Sequence, residues 1–224
     1  MDSIIEVVRC FENSNIIHVD GVINPTNDIE IIELELIYAD LETVMKRRER
    51  VKKQLKADKS LAKEDLVLEK IEKALNEGKS ARSLELTEEE KDIIKSLSLL
   101  TLKPLMYVAN VDEETIQDVE KNENFKKVKQ YAESQNAKVI PICVKLEEEI
   151  SSIESEEERK EFLEMMGLDK SGLDKLIIAS YDILGLMSYL TVRRNRSKSM
   201  DYKKRNKSSK SGIKDTFRYR KRVY

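Results

Sequence analysis

Asn110, Val111, Asp112 and Glu113 follow directly on the apolar run Leu105-Met106-Tyr107-Val108-Ala109. An apolar run that stops abruptly in polar residues reads as a buried parallel strand delivering side chains to its C-terminal edge. In open α/β sheets that edge is where ligands sit. Asn110 and Glu113 placed there could meet a ligand. Taken without context, the same two residues are a strand-end turn with solvated caps.

Other chemistry-bearing groups read more plainly. Gly78-Lys79-Ser80 imitates a phosphate-binding loop, but the position five residues before Gly78 is Lys73 instead of Gly, and a helix precedes it where the motif needs a strand. Asp169-Lys170-Ser171-Gly172 imitates the DxxG of a metal-coordinating switch, yet sits in a helix–helix turn, where Ser171 is better placed as a helix cap. His18, the single histidine, lies in an apolar extended run with no Ser or Cys nucleophile nearby, so a structural role is expected. Cys10 and Cys143 have no metal-ligand spacing and sit in strand-like surroundings, which makes them buried free thiols.

The elements that must position these residues alternate between strands and helices. Ile4 to Phe11 is β-branched and apolar, a strand in a covered sheet, and Ile16 to Val19 is a second extended run. Asp28 is a candidate cap for a long helix running through Leu55. Leu61 to Leu75 gives a second helix, stopped by Gly78, so the two form an antiparallel hairpin. Thr87 with Glu90 is a capping box for a third helix. Strands at 104–109 and 138–143 follow, with helices near 123–135, 144–153, 155–165 and 171–187. The alternation implies α/β architecture with a parallel sheet.

Charged residues make up 38% and aromatics 5% of 224 residues, with no Trp, which suits long solvated helices. The net charge of −2 hides an asymmetry: residues 193–224 hold 14 Lys/Arg against two Asp, a balance of +12, leaving −14 on residues 1–192. There is no signal peptide and no apolar run long enough to span a membrane, so a cytoplasmic location without membrane contact is expected. The stripe Lys46, Arg47, Arg48, Arg50, Lys52, Lys53 and the charged face at 147–161 are most simply solvated helix surfaces.

Four stretches in order carry a resemblance: Val7-Val8-Arg9-Cys10-Phe11-Glu12-Asn13, Ala81-Arg82-Ser83-Leu84-Glu85-Leu86, Asn110-Val111-Asp112-Glu113 and Ser171-Gly172-Leu173-Asp174. Together they make residues 2 to 192 resemble the Obg-like, YchF-type ATPase family of phosphate-loop NTPases. Guanine-specific members of the wider class place Asn-Lys-x-Asp at the base-recognition edge; here Val111 and Glu113 depart from that pattern. The resemblance implies the C-terminal half of a phosphate-loop NTPase sheet interrupted by a coiled-coil-like helical hairpin. It also implies ATP as the nucleotide, with GTP as second choice, Mg²⁺ in the intact family, and ribosome or rRNA as partner, with no DNA. Asn110 would brace the base pocket, and loss of the Asp at position 113 would pass discrimination to backbone groups such as those of Val111. Ile142-Cys143-Val144-Lys145 takes the place of the family's Ser-Ala-Lys, so Cys143 and Val144 would approach the base through their backbone.

The phosphate loop and switches would precede Ile4, so the 224 residues alone are expected to hydrolyse nucleotide negligibly. The expected organisation is nucleotide-binding domain over 1–27, hairpin insertion over 28–97, nucleotide-binding domain again over 98–192, and a basic tail over 193–224. Shifting the frame by one base at Met200–Asp201 forces a Trp codon, and the shifted frame permits strings resembling the family's TGS domain. The tail is therefore expected to be out of frame and disordered. The alternative is a non-enzymatic RNA- or protein-binding module using the hairpin and that basic tail.

Overall fold

The computed structural model describes residues 1–12, 23–193 and 196–203, so His18, the extended run 16–19 and the tail from 204 to 224 lie outside the described residues. The chain divides into two units, Met1–Ser180 and Tyr181–Tyr224.

The first unit is built on a parallel three-stranded sheet, β1 (Ile4–Arg9), β2 (Leu105–Asn110) and β3 (Lys138–Ile142), in the order β1-β2-β3. The registers Ile4↔Leu105 to Arg9↔Asn110 and Met106↔Lys138 to Asn110↔Ile142 put Asn110 at the C-terminal edge beside both neighbours. Every residue of β2 before Asn110 is buried, as a central parallel strand covered on both faces requires. Pro141 has no N–H to give, and β3 tolerates it because it is an outer strand of the described sheet. One face of the sheet packs Val8, Tyr107 and Ala109 against Ile29, Phe125, Val128 and Ala132.

Helix α1 (Pro25–Leu55) starts before the expected cap at Asp28. Pro25, whose φ is already helical, occupies the first turn and Asn24 the cap position. Asp28 becomes a first-turn acid, favourable at the positive end of the helix dipole. The helix serves two cores: Ile29 belongs to the sheet, while Ile37, Val44 and Val51 pack on Val67, Leu68, Ile71 and Leu75 of α2 (Ala62–Asn76). Gly78, at φ +73°, ends α2, with Lys79 N–H on Ala74 O at 2.9 Å. Gly78-Lys79-Ser80 is thus a helix terminus. Thr87 and Glu90 form the capping box of α3 (Glu88–Ile94).

Asp40 ties the hairpin's return to its start. Only 2% exposed, it accepts hydrogen bonds from Leu100 N (2.8 Å), Thr101 N (2.7 Å) and Thr101 Oγ1 (2.6 Å). Across the hairpin Arg47 meets Glu64, and Arg48 meets Asp65, Glu69 and Glu72. Much of the basic stripe is therefore paired within the molecule.

Helices α4 (Glu123–Ser134), α5 (Val144–Ser152), α6 (Glu156–Met165) and α7 (Gly172–Ile183) follow. Helix α7 ends at Ile183, before the expected 187, and Gly185 at φ +61° turns the chain into a strand. In the second unit, β4 (Leu186–Arg193) pairs antiparallel with β5 (Arg196–Lys203). Residues 196–203 of the basic tail are thus extended as β5. The segment Leu186 to Val192 is rich in strand-forming residues, and a neighbouring strand satisfies its backbone groups. Among the described residues no helix is long and apolar enough to cross a membrane.

Candidate functional site

The parallel registers bring two loops together at the C-terminal edge of the sheet. One follows β2 and carries Asn110 to Glu113; the other follows β3 and leads into α5 through Cys143, Val144 and Lys145. Backbone pairing continues past the strands, since Cys10 N–H donates to Asn110 O (2.8 Å) and Val111 N–H to Ile142 O (2.9 Å).

Two side-chain links then cross between the loops. Asn110 Oδ1 accepts from Val144 N–H at 3.2 Å, and Lys145 Nζ lies 2.9 Å from Glu113 Oε1. The first commits the carboxamide oxygen of Asn110, leaving its Nδ2 as the donor for a ligand. The second neutralises Glu113, and the Glu113 carboxylate in turn holds the Lys145 ammonium above its usual pKa. Asp112 turns inward to its own loop: its Oδ1 accepts from Thr115 N (2.8 Å) and Thr115 Oγ1 (2.6 Å). This side-chain cap, three residues across, holds the loop that carries Glu113.

Val111 is 2% exposed and its N–H is taken by Ile142, so only its carbonyl can serve discrimination. Cys143 is a core residue, packed with Leu146, Ile150 and Leu163. Burial pushes its thiol pKa up, partly offset by the amides of Leu146 and Lys145. Val144, about half exposed, presents an apolar surface beside Asn110. The five residues named from sequence thus lie together at one edge, but they are unequal: Asn110 and Glu113 are partly buried and Val144 about half exposed, while Val111 and Cys143 are buried and shape the floor.

A third loop is fastened to the same place. Glu147 accepts from Gly172 N–H (2.6 Å) and Leu173 N–H (3.1 Å), and Ser171 Oγ from Asp174 N–H (3.0 Å). Ser171 is therefore the cap expected of it, and a carboxylate at the N-terminus of α7 complements the helix dipole. A Cβ on Gly172 would lie 2.9 Å from both Glu147 Oε1 and Ile142 Cγ2, so a larger residue would force these neighbours to shift.

No family model matches the chain. Individual proteins do. The chain is 47% identical over 205 residues to the ribosome-binding ATPase YchF of Bacillus subtilis, covering 91% of this chain and 56% of that protein. It is 44% identical over 191 residues to the ribosome-binding ATPase YchF of Escherichia coli O157:H7, covering 85% and 52%. The solved structure of the Schizosaccharomyces pombe YchF GTPase superposes with a TM-score of 0.78 at 32% identity, over 91% of this chain and 55% of that one. This stretch belongs to the YchF family. The chain spans about half the length of the curated relatives it matches. The names of these YchF relatives differ on the nucleotide, ATPase for two and GTPase for the third.

Within the YchF frame, sequence reasoning missed two residues. Lys145 and Glu147 fasten the second and third loops, yet each partner lies tens of residues away in the chain. Only the register of β2 against β3 brings Lys145 to Glu113, and nothing local announces that register.

Proposed function

We propose that this chain supplies the base-recognition edge and helical insertion of a YchF-type, ribosome-associated nucleotide-binding protein, with ATP preferred over GTP. The observation that carries the reading is the Asn110 side chain holding Val144 N–H across the two edge loops. Such a brace orients the carboxamide before any ligand arrives. Asn110 Nδ2 offers a donor to a ring nitrogen, the Val111 carbonyl accepts an exocyclic amine, and the Val144 side chain lies against the ring. Glu113 stands where guanine recognition needs an unpaired carboxylate, but its charge is engaged by Lys145. Guanine offers two donors to such a carboxylate, and adenine does not, so the arrangement favours adenine.

The base is the part of the nucleotide these residues fit. No phosphate-loop motif occurs in the 224 residues, and among the described residues no group of three His, Cys, Asp or Glu is placed to hold a metal ion. Hydrolysis by this stretch alone is expected to be negligible. Thermal melts with adenosine, ATP and GTP test the reading. Adenosine and ATP should raise the melting temperature alike, GTP less, because ligand binding to the folded state stabilises it in proportion to RT ln(1 + [L]/Kd). Absence of any nucleoside effect would overturn it.

A second reading, an RNA-binding module, rests on a cleft of about 350 Å³ lined by Thr43, Lys46, Arg47, Arg50, Ser96 and Leu97. Arg47 is partly engaged by Glu64 and Lys46 by Glu42, which weakens it. RNA binding that falls steeply with salt, without any nucleoside effect, would favour this reading over the first.

A further inference from the structure

We infer that Lys145 is a specificity-determining residue of the base edge, acting by neutralising Glu113. The inference rests on the nucleotide reading above. Its starting point is the electrostatic composition of the rim. Asp112 and Glu113 lie on the first loop and Glu149 one turn into α5, and all three bear on Lys145 or on the adjoining Cys143. Lys145 is the cation set among them, 2.9 Å from Glu113 Oε1.

A carboxylate at this edge discriminates between purines by charge. Left bare, it attracts the N1–H and N2–H donors of guanine and repels the lone pair on adenine N1. With an ammonium at ion-pair distance, both effects shrink together. Glu113 therefore differs from a guanine-reading carboxylate in two respects: its chain is one methylene longer than Asp, and its charge is answered from the opposite loop. The same contact joins the loops a second time, beside the Asn110–Val144 bond, so Lys145 is a positioning residue as well as a neutralising one.

The two roles are separable. Loss of a loop fastening weakens all purines together; loss of neutralisation moves adenine and guanine in opposite directions. The Lys145 side chain is 71% exposed, so replacing it leaves the core untouched. Exposed pairs of this kind are worth little, so the expected change in selectivity is about two- to fivefold.

The test is a set of dissociation constants for ATP and GTP, measured by fluorescence with N-methylanthraniloyl nucleotides on the full chain, for wild type, Lys145→Met, Lys145→Arg, Glu113→Gln and the double variant K145M/E113Q. Lys145→Met should lower the ATP-over-GTP preference, and Lys145→Arg should keep it. In the Glu113→Gln background, Lys145→Met should leave the preference unchanged. Raising the salt concentration should shrink the difference between wild type and Lys145→Met, because exposed charges are screened. Binding retained with an unchanged ATP-to-GTP ratio in Lys145→Met overturns the role of Lys145 alone. Failure of the wild-type chain to bind either nucleotide overturns the nucleotide reading and this inference with it.

Discussion

Asn110 and Glu6 show how much a single polar side chain decides in this molecule. Replacing Asn110 with Ala removes the bond to Val144 N–H and the donor left for a base. Loss of a hydrogen bond of this kind costs about 1 kcal/mol, so adenosine binding should weaken roughly five- to tenfold while the fold persists. Titration calorimetry with adenosine reads this directly; unchanged affinity would move the base elsewhere. Glu6 lies on the covered face of β1, opposite Tyr107. Burial, and next the negative charge of Glu33, raise its pKa from 4.5 to about 7. The Tyr107 hydroxyl nearby is buried without a hydrogen-bond partner among the described residues, and Tyr131 donates to Glu33 at 3.0 Å. The folded state therefore holds the Glu6 proton more tightly than the unfolded chain does. Its stability contribution is complete below pH 4.5 and is lost as pH rises through about 7. Glu6→Gln keeps a neutral group there, so its melting temperature should exceed wild type by a margin that grows across that interval. A margin independent of pH would contradict the assignment.

Elements were legible where a single segment determines itself. The burial of β2 follows from its unbroken apolar run, and the end of α2 from Gly78. The edge that holds Asn110 and Glu113 could be read because it directly continues β2. Elements that depend on a distant partner were not legible. Strand β5 is Arg-Ser-Lys-Ser-Met-Asp-Tyr-Lys, a polar sequence without apolar alternation, and only pairing with β4 makes it extended. The ion pairs of Arg47 and Arg48 likewise turn an apparent solvated stripe into a fastening between α1 and α2. Gly172 belongs to this second class. Its neighbours in sequence suggest a turn, but its need for glycine comes from Ile142 and Glu147 on other elements. Gly172→Ala should cost about 1–3 kcal/mol through overpacking, read as a lower denaturation midpoint at unchanged slope. It should also loosen α5 against α7, since Glu147 can no longer accept both amides at their present distances.

At the scale of the whole molecule, the first unit exposes apolar surface at several places, a strand face and a helix among them. On the uncovered face of β1, Ile5 is 40% and Val7 63% exposed; on α7, Leu173, Ile177 and Ile178 are each about half exposed. Parallel strands are normally covered on both faces, so the isolated chain should bind hydrophobic dyes and associate as its concentration rises. Val7→Lys should reduce both, seen by light scattering; an unaltered monomer at all concentrations would show that this face needs no cover. The insertion has a kinetic counterpart. Strands β1 and β2 are neighbours in the sheet, yet about a hundred residues of chain lie between Ile4 and its partner Leu105. Closing so long a loop directly is entropically slow, whereas the two helices of the hairpin can meet through local encounters. Once they have met, Asp40 captures Leu100 and Thr101, and only three residues then separate Thr101 from the start of β2. The insertion thereby becomes a splint: zipped early, it carries the two ends of a long detour to within reach of each other, and the sheet can form last.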